Sequence, residues 1–179
     1  MIISSKEAEG KALVTVAELM CAAARTAPKT QEIDNVVAAI VGQESKDRLV
    51  TEMRTIARQE RKQNFERDAA CLEKVLLVVL VGTKIAPTGL SCGLCGYENC
   101  EACLEKNGMC VFNASDLGIA LGSAVSVAAN HRVDNRIMYS IGIAAVRLRL
   151  LGRGEEVKLV YGIPLSISGK DPFFDRERS

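Results

Sequence analysis

The sequence predicts an α+β domain: a central mixed sheet covered by helices, with a cysteine-rich loop inserted into it. Three observations lead there. Apolar residues at helical spacing alternate along the chain with short β-rich apolar runs, the pattern of helices packed on a sheet. Residues 75–82 (VLLVVLVG) form a continuous apolar run of strand length, which reads as a strand buried on both faces. Five of the seven cysteines fall between Ser91 and Cys110, in the stretch SCGLCGYENCEACLEKNGMC. A length of 179 residues suits one domain, 1–179, with residues 90–112 as the cysteine-rich insertion.

Each element has its own signal. Ser4 or Ser5 can cap a first helix, and Leu13, Val16, Ala17, Met20 and Ala24 form its buried face. Pro28 ends that helix near residues 25–27. The polar loop that follows, with Arg25 and Lys29, reads either as a solvated turn or as an anion site. Residues 35–41 (NVVAAIV) read as a strand. Leu49, Val50, Met53, Ile56 and Ala57 mark a long amphipathic helix, and residues 65–72 a shorter one. Residues 85–90 leave the sheet for the cysteine loop, where residues 101–106 can form a short helix carrying Cys100 and Cys103 on one face. Ser115 or Asp116 can cap a helix to Ala129 that is apolar nearly all round and is expected to be buried. Residues 136–142 read as a strand, 144–151 as a helix, 157–161 as a strand, and the remainder from Gly162 as an irregular tail. His131, the single histidine, falls at a helix end and reads as a cap.

Composition excludes several function classes. The formal net charge is +1, Trp is absent and aromatics are 4% of the chain, so neither a nucleic-acid surface nor a base-stacking platform is expected. No continuous apolar run reaches the length of a membrane span, and the first ten residues lack the apolar core of a signal peptide. The expectation is a cytoplasmic protein without membrane or nucleic-acid partners. No paired carboxylates, nucleophile–base pair or phosphate-binding glycine loop supports hydrolase or kinase chemistry.

An intracellular cysteine cluster reads first as a metal site. Cys92 and Cys95 form C-x2-C, Cys100 follows after four residues, Cys103 sits three beyond it, and Cys110 comes last. Two pairs this close are tight for a zinc ribbon, whereas an iron-sulfur cluster takes its ligands from one compact loop plus a more distant cysteine. The expected ligands are Cys92, Cys95, Cys100 and Cys110, with Cys103 as the alternative fourth ligand and zinc as the alternative metal. Gly93 and Gly96 give the backbone room and access to positive φ.

The run Cys92-Gly-Leu-Cys95-Gly-Tyr-Glu-Asn-Cys100 resembles the C-G-x-C-G-x-x-x-C signature of small [4Fe-4S] domains in electron-transport and corrinoid iron-sulfur proteins. A longer stretch, through Phe174, resembles a prokaryotic family described as containing a ferredoxin domain. That resemblance implies a [4Fe-4S] cluster and electron transfer. The order of elements, with Ala27-Pro28, the strand and helix of residues 35–53, the small-residue helix and Gly162-Ile-Pro164, resembles the flavin-binding nitroreductase fold. That second resemblance implies a nitroreductase-like sandwich, a flavin-linked oxidoreductase with FMN as a further cofactor, and a homodimer with an exchanged tail carrying Phe173 and Phe174. The arginine-rich stretch that holds the flavin phosphate in that family is absent, so no flavin-contacting residue is carried over. A redox partner protein is the other partner expected; the alternative is a non-enzymatic interaction protein stabilised by zinc or by the cluster.

Overall fold

The computed structural model describes residues 1–152, 157–169 and 171–173. Helix α1 spans Ser5–Thr26, with Ser4 as its N-cap accepting the Glu7 N–H at 3.2 Å. Strand β1 (Val36–Val41) leads into α2 (Gln43–Glu60) and α3 (Gln63–Glu73), and these into β2 (Leu77–Lys84). The cysteine loop carries α4 (Cys100–Glu105). Then come α5 (Val111–Asn130), β3 (Asp134–Asn135), α6 (Tyr139–Arg147) and β4 (Val157–Ser166). The four strands lie in the order β1-β2-β4-β3, and all their pairings are antiparallel.

Strand β2 is central and buried along nearly all its length, as its unbroken apolar run requires. Its side chains alternate between two cores. Leu77, Val79 and Val81 join Leu13, Val16, Met20 and Leu117 of α1 and α5 on one face. Val78 and Leu80 join Leu49, Met53, Phe65, Leu72 and Ile141 of α2, α3 and α6 on the other. The period of two in the strand thus divides the helices between the faces of the sheet.

Three local expectations change. Helix α5 begins at Val111, four residues before Ser115, with Cys110 as its N-cap. Asp116 lies inside the helix and accepts from the Thr30 N–H (3.0 Å) and hydroxyl (2.9 Å), so its carboxylate serves a distant loop rather than its own helix end. Of the predicted strand at 136–142 only a single bridge between Met138 and Gly162 forms; the short β3 lies just before that stretch, and α6 begins at Tyr139. Conversely, β4 runs on to Ser166, through the predicted irregular Gly162-Ile-Pro164. Pro164 pairs with Val78 of β2. Because the Gly162 N–H points toward Met138, the Pro164 nitrogen two residues on faces the same side and has no hydrogen to offer. The ladder is accordingly interrupted between the Met138 bridge and β3.

At 20 residues and a mean hydropathy of 1.4, α5 is long and apolar enough by composition to cross a membrane. Its Leu117, Ala120, Leu121, Ala124 and Ala128 nevertheless pack on the sheet and α1. The expectation of burial all round is not met within one chain: Gly118, Ile119 and Gly122 are exposed, and nothing lies within 4 Å of a side chain added at either glycine. His131 is the C-cap of α5. Phe173 is buried in the chain's own second core, and the Cys71 thiol lies 3.5 Å from the Pro172 carbonyl; Phe174 is outside the described residues.

Candidate metal centre

The cysteine loop leaves the end of β2 and returns at the start of α5, so its two ends are anchored by the sheet and by a long helix. Between them the backbone is tightly wound. Gly93 and Gly96 have φ of +73° and +81°, the left-handed region their lack of a Cβ permits. Gly108 lies under the Tyr97 ring, which a Cβ there would meet at 2.4 Å and push aside. Asn99 caps α4 by accepting the Ala102 N–H at 2.8 Å, which fixes the helix that presents Cys100 and Cys103.

The five thiols are free and differ sharply in exposure. Cys103 and Cys110 are buried, Cys95 and Cys100 half-buried, and Cys92 exposed. Burial pushes the Cys103 thiol up. Contact with the Cys95 side chain and the nearby Cys110 and Cys100 sulfurs push it further, because neighbouring thiolates repel. Cys110 is held differently. Burial alone would raise its pKa, but the N–H groups of Thr88, Phe112 and Asn113 and the Thr88 hydroxyl face its sulfur and hold it below the ordinary thiol value. The Thr88 Oγ1 lies 3.9 Å from the Cys110 Sγ, and the Ser91 N–H donates to the Cys100 Sγ at 3.3 Å. Backbone donors aimed at cysteine sulfur are what a thiolate-bound iron-sulfur cluster uses.

Among the described residues, no three or more His, Cys, Asp or Glu side chains are gathered closely enough to hold a single ion. The donor set is nonetheless soft thiolate, which suits iron-sulfur or zinc chemistry and not magnesium or calcium. One further feature fits a sulfur-rich group. Asn113, 1% exposed and in the first turn of α5, accepts the Ala86 N–H at 3.0 Å, while its amide nitrogen is buried without a partner. The burial of Cys103 and the Asn113 amide had no sequence signal, beyond the third position of Asn113 after a cysteine.

The loop after α1, read as an anion site or a solvated turn, pairs its cations within the chain, with the Lys29 side chain buried and Arg25 exposed. The Arg25 guanidinium pairs with Asp34 and donates to the Val36 carbonyl at 2.8 Å. The Lys29 ammonium caps α1 by donating to the carbonyls of Arg25 (2.6 Å), Ala27 (2.9 Å) and Ala24 (3.3 Å).

Solved structures share the architecture. A nitroreductase with bound FMN from Bacteroides fragilis aligns with a TM-score of 0.59 at 13% identity, over 100% of this chain and 84% of its own. A BluB-like flavoprotein from Clostridium difficile aligns with a TM-score of 0.58 at 16% identity, over 100% and 85%. The FMN-dependent nitroreductase NfnB from Mycobacterium smegmatis, in complex with NADPH, gives 0.57 at 15%, over 87% and 78%. At these identities the likeness establishes a nitroreductase-like fold. A protein of Archaeoglobus fulgidus is 37% identical over 98% of both chains. A family profile matches residues 106–176, which include Cys110, Asn113 and all of α5. The chain belongs to the family described as "Uncharacterized protein containing a ferredoxin domain (DUF2148)".

Proposed function

We propose that the chain is a redox protein carrying one [4Fe-4S] cluster in the 90–112 loop and transferring electrons to or from a partner protein. The observation that carries this reading is a single short loop holding five free thiols, with the Ser91 N–H donating to the Cys100 sulfur at 3.3 Å and the Thr88 hydroxyl 3.9 Å from the Cys110 sulfur. Cys92, Cys95, Cys100 and Cys110 would hold the cluster. When bound, it supplies one-electron chemistry. The chain's part is to present these thiols from one loop, to donate hydrogen bonds to sulfur, and to screen one side from water with Thr88, Cys103 and Asn113, all buried. A specific observation favours a second ligand set, because the buried Cys103 touches Cys95 while Cys92 is exposed. Single Cys→Ser variants at the five positions, purified without oxygen, separate the two sets. Loss of the broad absorbance at about 400 nm is expected at four positions and its retention at one. Retention at all five would overturn the site.

The nitroreductase-like fold and the FMN named for two structural neighbours raise a flavin-linked activity. Arg25 and Lys29 are committed to internal partners, so they offer no phosphate cradle, and the proposal is a cluster protein without FMN at that loop. Titration with FMN should leave flavin fluorescence unchanged up to high micromolar; quenching that saturates would restore the flavin reading. The open face of α5, with Gly118 and Gly122 uncovered, supports a homodimer in which a second copy lies against that helix. The free-thiol loop fits a reducing, cytoplasmic setting.

A further inference from the structure

The amide of Asn113 is a buried donor without an acceptor, and its position shows what acceptor it suits. Asn113 lies in the first turn of α5, and its main-chain N–H bonds the Cys110 carbonyl at 3.1 Å. Its side-chain oxygen is fixed by the Ala86 N–H at 3.0 Å, in the segment that leads into the cysteine loop. Thr88 of the same segment reaches toward the Cys110 sulfur. The residue therefore bridges the departing and returning ends of the loop. Because the Ala86 N–H needs an acceptor, the amide cannot be turned over, and the NH2 group is the end left unpaired. A buried amide that forgoes its hydrogen bonds destabilises a fold, so such a group calls for a partner that belongs there. The segment that Asn113 clamps also brings the Thr88 hydroxyl to 3.9 Å from the Cys110 sulfur, so sulfur is the acceptor this end of the loop presents.

We infer that Asn113 is a positioning residue whose side-chain NH2 donates a hydrogen bond to a sulfur of the bound cluster beside Cys110 and raises its reduction potential. The inference rests on the cluster reading above. Reduction adds negative charge to the cluster, and a donor aimed at sulfur stabilises the reduced form more than the oxidised one. The clamp on Ala86 holds the donor in place, so one side chain both closes the loop and tunes it.

The test is an EPR-monitored redox titration of the full chain, purified anaerobically, with iron and labile sulfide measured on each sample. Asn113→Leu keeps most of the volume and removes the donor. Asn113→Asp keeps the acceptor for Ala86 and covers the case in which the leucine variant fails to fold. Both are expected to retain iron and sulfide and to shift to a more negative potential, and Asn113→Gln, which keeps the amide, is expected to return toward wild type. A cluster-loaded Leu or Asp variant at the wild-type potential would overturn the inference, leaving Asn113 a loop clamp alone. Wild-type protein lacking iron and sulfide would instead overturn the cluster reading on which it rests.

Discussion

Asp34 and Asp116 show how single carboxylates fix the loop between α1 and β1. Burial alone would raise the Asp34 carboxyl, but the Arg25 hydrogen bond and the Lys29 and Arg25 charges outweigh it and hold its pKa below the ordinary carboxylate value. A carboxyl depressed on folding stabilises the protein above its unfolded pKa, about 3.9, and that stability is lost as the pH falls through the lower folded value. Urea midpoints of the wild type are therefore expected to fall more steeply below about pH 4 than those of Asp34→Asn, which has no charge to lose. Asp116 binds both the N–H and the hydroxyl of Thr30 from within α5. Asp116→Ala leaves the Thr30 N–H without its acceptor and should lower unfolding free energy by about 1 to 3 kcal/mol, read by urea denaturation at neutral pH. No change would mean that solvent replaces the bond.

At the level of elements, α6 and β4 meet so closely that backbone touches backbone. A Cβ on Gly142 would lie 1.7 Å from the Val160 carbonyl oxygen, and one on Gly162 would lie 2.2 Å from the Ile141 side chain. Gly142→Ala must separate helix and strand, with an expected loss of about 3 kcal/mol, at the upper end of overpacking. Thermal unfolding checks this, and an unshifted midpoint would contradict it. The same contact explains why the strand predicted at 136–142 gives way to α6. Ile137, Met138 and Ile141 with Gly142 carry the apolar density of a strand, but Gly142 serves a helix–strand approach that no local pattern records. Strand β2 is legible from its unbroken apolar run, buried on both faces, and α1 and α2 from helical periodicity with one buried face each. The true start of α5 was not, because Cys110 caps it in place of the Ser or Asp that normally signals a helix start. In the candidate site, the cysteine spacing and the positive φ of Gly93 and Gly96 were readable. The burial of Cys103 and the unpaired Asn113 amide depend on how loop and helix meet, which spacing does not encode.

For the whole molecule, the exposed side of α5 is the largest departure from a self-contained fold. Gly118 and Gly122 stand one turn apart with open space above them. In an isolated chain, Gly118→Ala and Gly122→Ala would each stabilise the helix by roughly 0.5 to 1 kcal/mol. In a dimer with a second backbone against that face, the larger Gly118→Leu with Gly122→Leu should drive the protein to monomer or aggregate. Light scattering of the wild type is expected to give twice the chain mass and the leucine pair half of that. A monodisperse wild-type monomer at micromolar concentration would refute the assembly.

The chemistry of this protein turns on what the cysteine loop binds. Chemical analysis of iron, zinc and acid-labile sulfide in protein purified from cells under strict exclusion of oxygen addresses this most directly. Brown protein with about four iron and about four sulfide per chain is expected, both lost together in Cys95→Ala. Colourless protein without iron, or protein holding about one zinc per chain and no sulfide, would contradict it.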